Sequence, residues 1–343
     1  MVYLVVWSDE TDGIDEIDET DEIDETDKID EIDKMTETMI RVAVVGIGHV
    51  GQMHARKYAA SKKANLVGVV DIDRKRSTEI AQELGVDSLT DYRELFGMVR
   101  CVSVAVPTRY HYEITRDFLS AGIDVLVEKP IAATFDEGRK LVELAAEKRL
   151  CLQVGHLERF NPAVRRVEAV IREPKFIECH RLAPFVERGT DVDVVLDLMI
   201  HDIDVIASVV HSPVDQVEAV GVAILTNKPD IANARIRFSN GCIANVTSSR
   251  VSMKRERKIR FFQPDAYISL DYDQRQAQIY RISDKSKGWE SIRRETLEIQ
   301  DGDALADEID SFLESVESRR PPLVSGEEGL RALEIASMIS EQL

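Results

Sequence analysis

Short apolar runs alternating with helix-length amphipathic stretches organise the chain from residue 40 to about residue 155. Runs rich in valine and leucine at 42–45, 66–70, 101–106, 124–127 and 150–154 show little polar alternation. Strands covered on both faces have that character. Between them polar positions return at helical spacing, over 74–84 up to Gly85 and over 111–121 up to Gly122. Thr134-Phe-Asp-Glu137 has the form of a capping box opening a helix to about Lys148. Strand and helix in alternation predict an α/β fold with a doubly wound parallel sheet.

The period changes after Pro162. Segments 217–223, 232–238, 242–248, 258–262, 267–272 and 276–280 alternate apolar and polar residues, separated by turn formers such as Ser239-Asn-Gly241. That pattern predicts a large, mostly antiparallel, open-faced sheet with one covered side. Two helical segments, 303–318 and 325–342, close the chain around Pro321-Pro322, the second opening on a capping box at Ser325-Gly-Glu-Glu328. The expected organisation is an acidic tail over 1–38, a dinucleotide-binding domain over 39–158, and an α+β substrate and oligomerisation domain over 159–343.

Composition sharpens this. A chain of 343 residues with 44% apolar side chains has room for two domains and a sizeable core. Residues 1–38 hold 16 Asp and Glu against two Lys, so 14 of the 19 net negative charges lie there and the remainder carries about −5. The six-residue Ile-Asp-Glu-Thr-Asp-Glu/Lys repeats put like charges at i, i+3 and i+4, which opposes a helix and predicts a disordered tail. An acidic interaction tail, or a natural start at Met35 or Met39, are the other readings. No basic stripe with interleaved aromatics points to nucleic acid, and no apolar stretch reaches membrane-spanning length. Cys101, Cys151, Cys179 and Cys242 lack metal-ligand or disulfide spacing, so no metal site and a reducing, cytoplasmic location are expected.

The chemistry begins at Val42-Ala-Val-Val-Gly46-Ile47-Gly48-His49-Val50-Gly51, a strand running into a glycine-rich turn and a helix. Gly46 allows the turn, Gly48 a close pyrophosphate, and Gly51 close helix packing, with the helix N-terminus facing the phosphates. Asp71, ending the next strand, accepts a ribose diol and repels a 2′-phosphate. This favours NAD over NADP, although Arg74 and Lys75 lie near enough to soften the preference. Pro107 and Thr108 follow the strand at 101–106 and sit over the cofactor; His111 reads as a helix-start residue. Glu128-Lys129-Pro130 ends the strand at 124–127, where ligands of open parallel sheets bind. Lys129 there can hold a substrate hydroxyl, steady an alkoxide or join proton transfer. The alternative is a surface lysine with a solvated Glu128. On one helix, Asp197, His201 and Asp204 share a face, and an imidazole flanked by carboxylates suits a general base. A solvated acidic face is the alternative. Arg159 and Asn161 mark the passage between domains as substrate contacts, Arg159 equally as an interdomain ion pair. Arg181, Arg188 and Asp191 fall on a predicted loop, where the arginines suit a phosphate or carboxylate as readily as plain solvation.

Gly46-x-Gly48-x-x-Gly51, Pro107-Thr108 with His111, Glu128-Lys129-Pro130 and Asp197-x-x-x-His201 together resemble the Gfo/Idh/MocA oxidoreductases, from Ile40 to the C-terminus. The resemblance implies that Lys129 and His201 handle the hydroxyl proton while Asp197 orients and polarises, with Glu128 and Lys129 also beside the cofactor and Arg188 at the substrate. It further implies a cis Lys129-Pro130 bond and a homodimer or homotetramer built on the open sheet face. Met199 stands where many members have glycine. The longer pattern, with Gly155-His-Leu-Glu-Arg-Phe-Asn-Pro162, is similar to a subgroup described as UDP-N-acetylglucosamine 3-dehydrogenases. The expected substrate is therefore a sugar or nucleotide sugar oxidised at a secondary hydroxyl. Inositol or a free hexose is the rival substrate, and a noncatalytic NAD(H)-binding regulator the rival class.

Overall fold

Six strands form one parallel sheet: β1 (Ile40–Val45), β2 (Ala64–Val70), β3 (Asp87–Leu89), β4 (Cys101–Val104), β5 (Asp124–Glu128) and β6 (Leu152–Gly155). Their order is β3-β2-β1-β4-β5-β6, the order of sheets that bind dinucleotides where strand order reverses, here between β1 and β4. The computed structural model describes residues 39–186 and 192–343. The acidic segment 1–38 and the residues Arg188 and Asp191, expected on a loop, lie outside the described residues.

Four helices link these strands: α1 (His49–Ala60), α2 (Arg74–Leu84), α3 (His111–Ser120) and α4 (Phe135–Lys148). Local chemistry sets their ends. Gly85 takes a left-handed conformation at φ 69° to close α2, and Thr134 with Glu137 forms the capping box of α4. Residues of β1, β4 and β5 are almost wholly buried on both faces, which accounts for their unbroken apolar runs.

The second sheet holds β7 (Phe176–Leu182), β8 (Val214–Val222), β9 (Ile231–Phe238), β10 (Ile243–Ser249), β11 (Glu256–Gln263), β12 (Ala266–Asp271), β13 (Gln276–Ile282) and β14 (Ile292–Leu297). Their order is β14-β13-β12-β11-β7-β10-β9-β8. Every pairing is antiparallel except β7 with β10. Two helices, α5 (Pro162–Glu168) and α6 (Ile200–Val210), contribute to the apolar cluster on its inner face. Arg181, expected on a loop, lies in β7 at the sheet centre and is buried.

The last two helices do not stay with that sheet. Ile309, Phe312, Leu313 and Val316 of α7 (Ala304–Ser318) enter the core formed by β1, β2 and α1. Burial of each such side chain contributes about 1.5–3 kcal/mol. Arg319, the left-handed residue ending α7, donates to both carboxylate oxygens of buried Asp124 at 2.7 and 3.0 Å. Helix α8 (Gly326–Ser340) joins both cores, Leu333 packing with the parallel-sheet cluster and Ala332, Ile335 and Ile339 with the other. The C-terminus thus straps the second sheet to the parallel-sheet domain.

Candidate active site

The glycine loop is shaped by contacts that exclude side chains at two of its three glycines. Gly46 has φ +90°, and a Cβ there would lie 2.6 Å from the Ala105 carbonyl oxygen. A Cβ on Gly51 would lie 1.8 Å from the Gly46 oxygen, so α1 approaches the turn more closely than any other residue permits. Gly48 has nothing within 4 Å of its would-be Cβ, and it begins α1 with no side-chain cap. The protein itself does not need glycine at that position. A pyrophosphate approaching uncapped N–H groups does, and the loop fits NAD on this ground. His49 is exposed and Val50 half-buried at the same mouth.

Asp71 is buried and ties this loop down. Its carboxylate accepts from Ile47 N (2.8 Å), Asp73 N (2.8 Å) and Arg76 Nη1 (3.2 Å). Three of about four acceptor directions are used, leaving one for a ribose hydroxyl. The cation paired with it is Arg76; Arg74 and Lys75 are exposed beside it. Across the crevice, Pro107 is exposed and Thr108 opens a single turn. His111 is more than a helix-start residue. It is buried, with Nδ1 2.7 Å from the Pro130 carbonyl and Nε2 2.8 Å from that of Val106, so it fastens the β4 exit to the segment bearing Lys129. Burial keeps its pKa below the ordinary imidazole value.

The Lys129–Pro130 bond is cis. Lys129 Nζ donates to the backbone carbonyl of Asp197 at 2.6 Å, so the end of β5 meets the Asp197–His201 segment. That segment is not a regular helix. Val195–Met199 is a single π-turn leading into α6, capped by the Asp193 carboxylate at Val195 N (2.9 Å) and Leu196 N (3.0 Å). Such turns recur at functional sites. Asp204 follows His201 by three residues in the regular helix α6, yet it is not among the groups acting on the His201 ring. Instead it is fully enclosed, 3.8 Å from Arg159, and burial pushes its carboxyl up to about 8. The groups acting on His201 are Lys129, Arg181, His156 and Arg257. Together with burial, which acts most strongly, they hold its pKa well below the usual imidazole range. His201 is therefore neutral, and by a different cause from the flanking carboxylates expected.

Arg159 is turned inward. Only 6% exposed, it meets Glu168 at 3.2 Å and Glu328 at 3.3 Å. Of the two roles open to it in sequence, the ion pair is present in the geometry. Asn161 caps α5 by accepting from Ala163 N at 3.0 Å and donates to Glu158 at 3.1 Å. Arg181 forms a buried bidentate pair with Asp202 at 2.7 and 2.8 Å. Two further residues were not marked in the sequence. His156 is fully buried, has no partner on either ring nitrogen, and packs edge-on to His201 with ring centroids 6.5 Å apart. Arg250, bound to Asp230 at 2.9 Å, brings Nη1 within 3.9 Å of the Asp197 carboxylate. Only spatial neighbourhood reveals either; no spacing rule connects them to residues 45 or more positions away.

Residues 40–156 match a family model described as oxidoreductase family, NAD-binding Rossmann fold, and residues 163–268 match a GFO/IDH/MocA C-terminal domain. A UDP-N-acetylglucosamine 3-dehydrogenase of Acidithiobacillus ferrooxidans is 36% identical over 302 residues, covering 88% of this chain and 96% of that protein. A solved structure of that organism's enzyme aligns with a TM-score of 0.83 at 35% identity, over 89% of this chain and 98% of that one. A myo-inositol 2-dehydrogenase of Thermotoga maritima is 24% identical over 86% of this chain and 93% of its own length. An inositol dehydrogenase homologue from Azotobacter vinelandii, solved with NADH and myo-inositol, shares the fold with a TM-score of 0.79 at 20% identity, covering 89% and 95% of the two chains.

Proposed function

The chain belongs to the Gfo/Idh/MocA family of NAD-dependent oxidoreductases, and from that membership and the crevice geometry we propose a sugar dehydrogenase. Its substrate is UDP-N-acetylglucosamine, oxidised at the 3-hydroxyl. The observation carrying this reading is the meeting of Lys129 with the Asp197–His201 turn at the carboxyl end of β5, one strand from the β1/β4 crevice. The relative that acts on UDP-N-acetylglucosamine supports the substrate.

The loop Gly46–Gly51 and the start of α1 would hold the pyrophosphate of NAD, Asp71 the adenosine ribose, and Pro107, Thr108 and Glu128 the nicotinamide half. When bound, NAD supplies the hydride acceptor. Neutral His201 accepts the hydroxyl proton at Nε2, because Nδ1 is enclosed. The Lys129 ammonium donates to the same oxygen and steadies its developing negative charge. As the carbon–hydrogen bond breaks with its electron pair, the alcohol becomes a ketone. Asp197, held by Arg250, keeps the turn and its carboxylate oriented. Arg188 belongs to the substrate side in this reading.

The same family membership supports a homo-oligomer. Phe176, Phe262, Tyr267 and Tyr280 stack along the outer face of the second sheet with centroids 5.0–5.5 Å apart, an apolar strip suited to a second copy. Four free, buried cysteines suit the cytoplasm. The functional division proposed is cofactor on 39–158 and substrate on 159–343, bridged by α7 and α8.

The test is NADH formation, followed by absorbance, with UDP-sugars, inositols and free hexoses, using Lys129→Ala and His201→Ala as controls. Turnover with UDP-N-acetylglucosamine, lost in both variants while NAD still binds, is expected. Preference for an inositol would replace the substrate. Tight NAD binding with no turnover on any compound would make the protein a regulator.

A further inference from the structure

We infer that Glu308 is a positioning residue for the Glu128–Lys129–Pro130 segment, carried as a neutral carboxyl that donates a hydrogen bond to Glu128. Glu308 stands on α7 among Ile309, Phe312 and Leu313, in a mostly apolar buried face. It is 0% exposed, and neither carboxyl oxygen has a hydrogen-bond partner. An apolar residue would fill the same volume without burying an unsatisfied acid, so the acid calls for a reason.

The reason lies in what it faces. Oxygens of Glu308 and Glu128 and a ring nitrogen of His54 all fall within 4.8 Å of one another. A chain of polar groups leads there from the strand interior. Tyr58 Oη lies 2.8 Å from Ser103 Oγ, Ser103 Oγ 3.2 Å from His54 Nδ1, and His54 Nε2 3.1 Å from Glu128 Oε1. On the third side, β6 leaves space for this carboxylate, since a Cβ on Gly155 would lie 2.9 Å from Glu128 Cδ. Glu128 is thus boxed by His54, Gly155 and Glu308, and the next residue is Lys129.

The titratable groups facing Glu308 are Glu128 from β5 and, from α1, His54 and Tyr58; burial raises the Tyr58 phenol well above its usual range. The charge acting on Glu308 is that of Glu128, of its own sign, and no cation offsets it. Two adjacent carboxylates in such a place cannot both ionise. Burial and that repulsion raise the Glu308 carboxyl well above its usual range. Glu128, held by His54 and reached by solvent at 18% of its side chain, is the one of the two placed to accept. A small side-chain rotation then closes the hydrogen bond from Glu308 to Glu128. Glu308 is beneath the reacting groups and touches none of them.

The consequence for turnover rests on the role proposed above for Lys129; the protonation state does not. Infrared difference spectra of wild type and E308Q at neutral pH should show a protonated-carboxyl C=O band present in the first and missing in the second. E308Q, whose amide still donates, should keep kcat within a few-fold. E308A should lower kcat on the order of tenfold to a hundredfold with NAD affinity unchanged. Should E308A not fold, the infrared comparison decides alone. Absence of the band, equal damage in E308Q and E308A, or a metal ion held by wild type and lost in E308Q would each overturn the inference. A band without any kcat effect in E308A would leave Glu308 neutral and remove its link to Lys129, which overturns the positioning role.

Discussion

His156 should make this protein acid-labile, and replacing it with phenylalanine should remove that lability. The imidazole is fully buried, lacks a partner on both nitrogens, and is lowered from 6.5 to about 3, first by burial and then by Lys129 and Arg159. A histidine depressed in the folded state binds its proton only after unfolding, so stability falls as pH drops below about 6.5. The penalty grows until the folded-state value is reached. At about pH 5 the unfolded histidine is mostly charged and the folded one is not, which costs about 2 kcal/mol relative to pH 8. His201 contributes a loss of the same sign, and Asp204, raised to about 8, one of opposite sign. Both remain in His156→Phe, so the difference between the two proteins isolates His156. Urea unfolding at about pH 8 and pH 5, on wild type and variant, reads the effect directly. Wild type should lose about 2 kcal/mol more than the variant over that interval. Parallel losses would mean that His156 is not buried neutral, and the packing against His201 would need redrawing.

Three further outcomes follow from the same geometry. Gly48→Ala should leave the melting temperature almost unchanged yet weaken NAD binding, whereas Gly51→Ala should destabilise the fold because its Cβ meets the Gly46 oxygen; calorimetry and NADH titration separate the two. Phe312→Ala, emptying a fully buried position of α7, should cost about 3–5 kcal/mol and lower NAD affinity through α1, measured by denaturation and titration; an effect confined to the second sheet would refute the strap. Because His201 is held well below its usual range, kcat should stay level from about pH 8 to pH 6, and an acid limb centred near 6.5 that shifts on His201 substitution would show the ring titrating as in solution.

Much of the dinucleotide half was legible because its signals are local. The glycine turn, the α2 stop at Gly85 and the Thr134 capping box each depend on residues within a few positions of one another. The β3 strand escaped notice because Asp87–Leu89 is three residues long and largely polar. Strand β7 was hidden for a different reason. Its inward position at Arg181 carries a charge, satisfied by Asp202 on α6 and by Glu158, so the alternation reads as a polar loop. The site divides along the same line. Lys129 and His201 stand out in the sequence, but the π-turn at Val195–Met199 leaves no periodic trace. The inward turn of Arg159 toward Glu168 and Glu328, and the arrival of Glu308 beside Glu128, depend on contacts across the whole chain.

The protein should be incubated with UDP-N-acetylglucosamine and NAD, the product analysed by mass spectrometry and the NADH counted by absorbance. A nucleotide sugar lacking the two hydrogens of its 3-hydroxymethine, formed mole for mole with NADH and lost in Lys129→Ala, is the predicted result. An unchanged nucleotide sugar beside rapid oxidation of an inositol or a free hexose, or NADH production undiminished in Lys129→Ala, would contradict it.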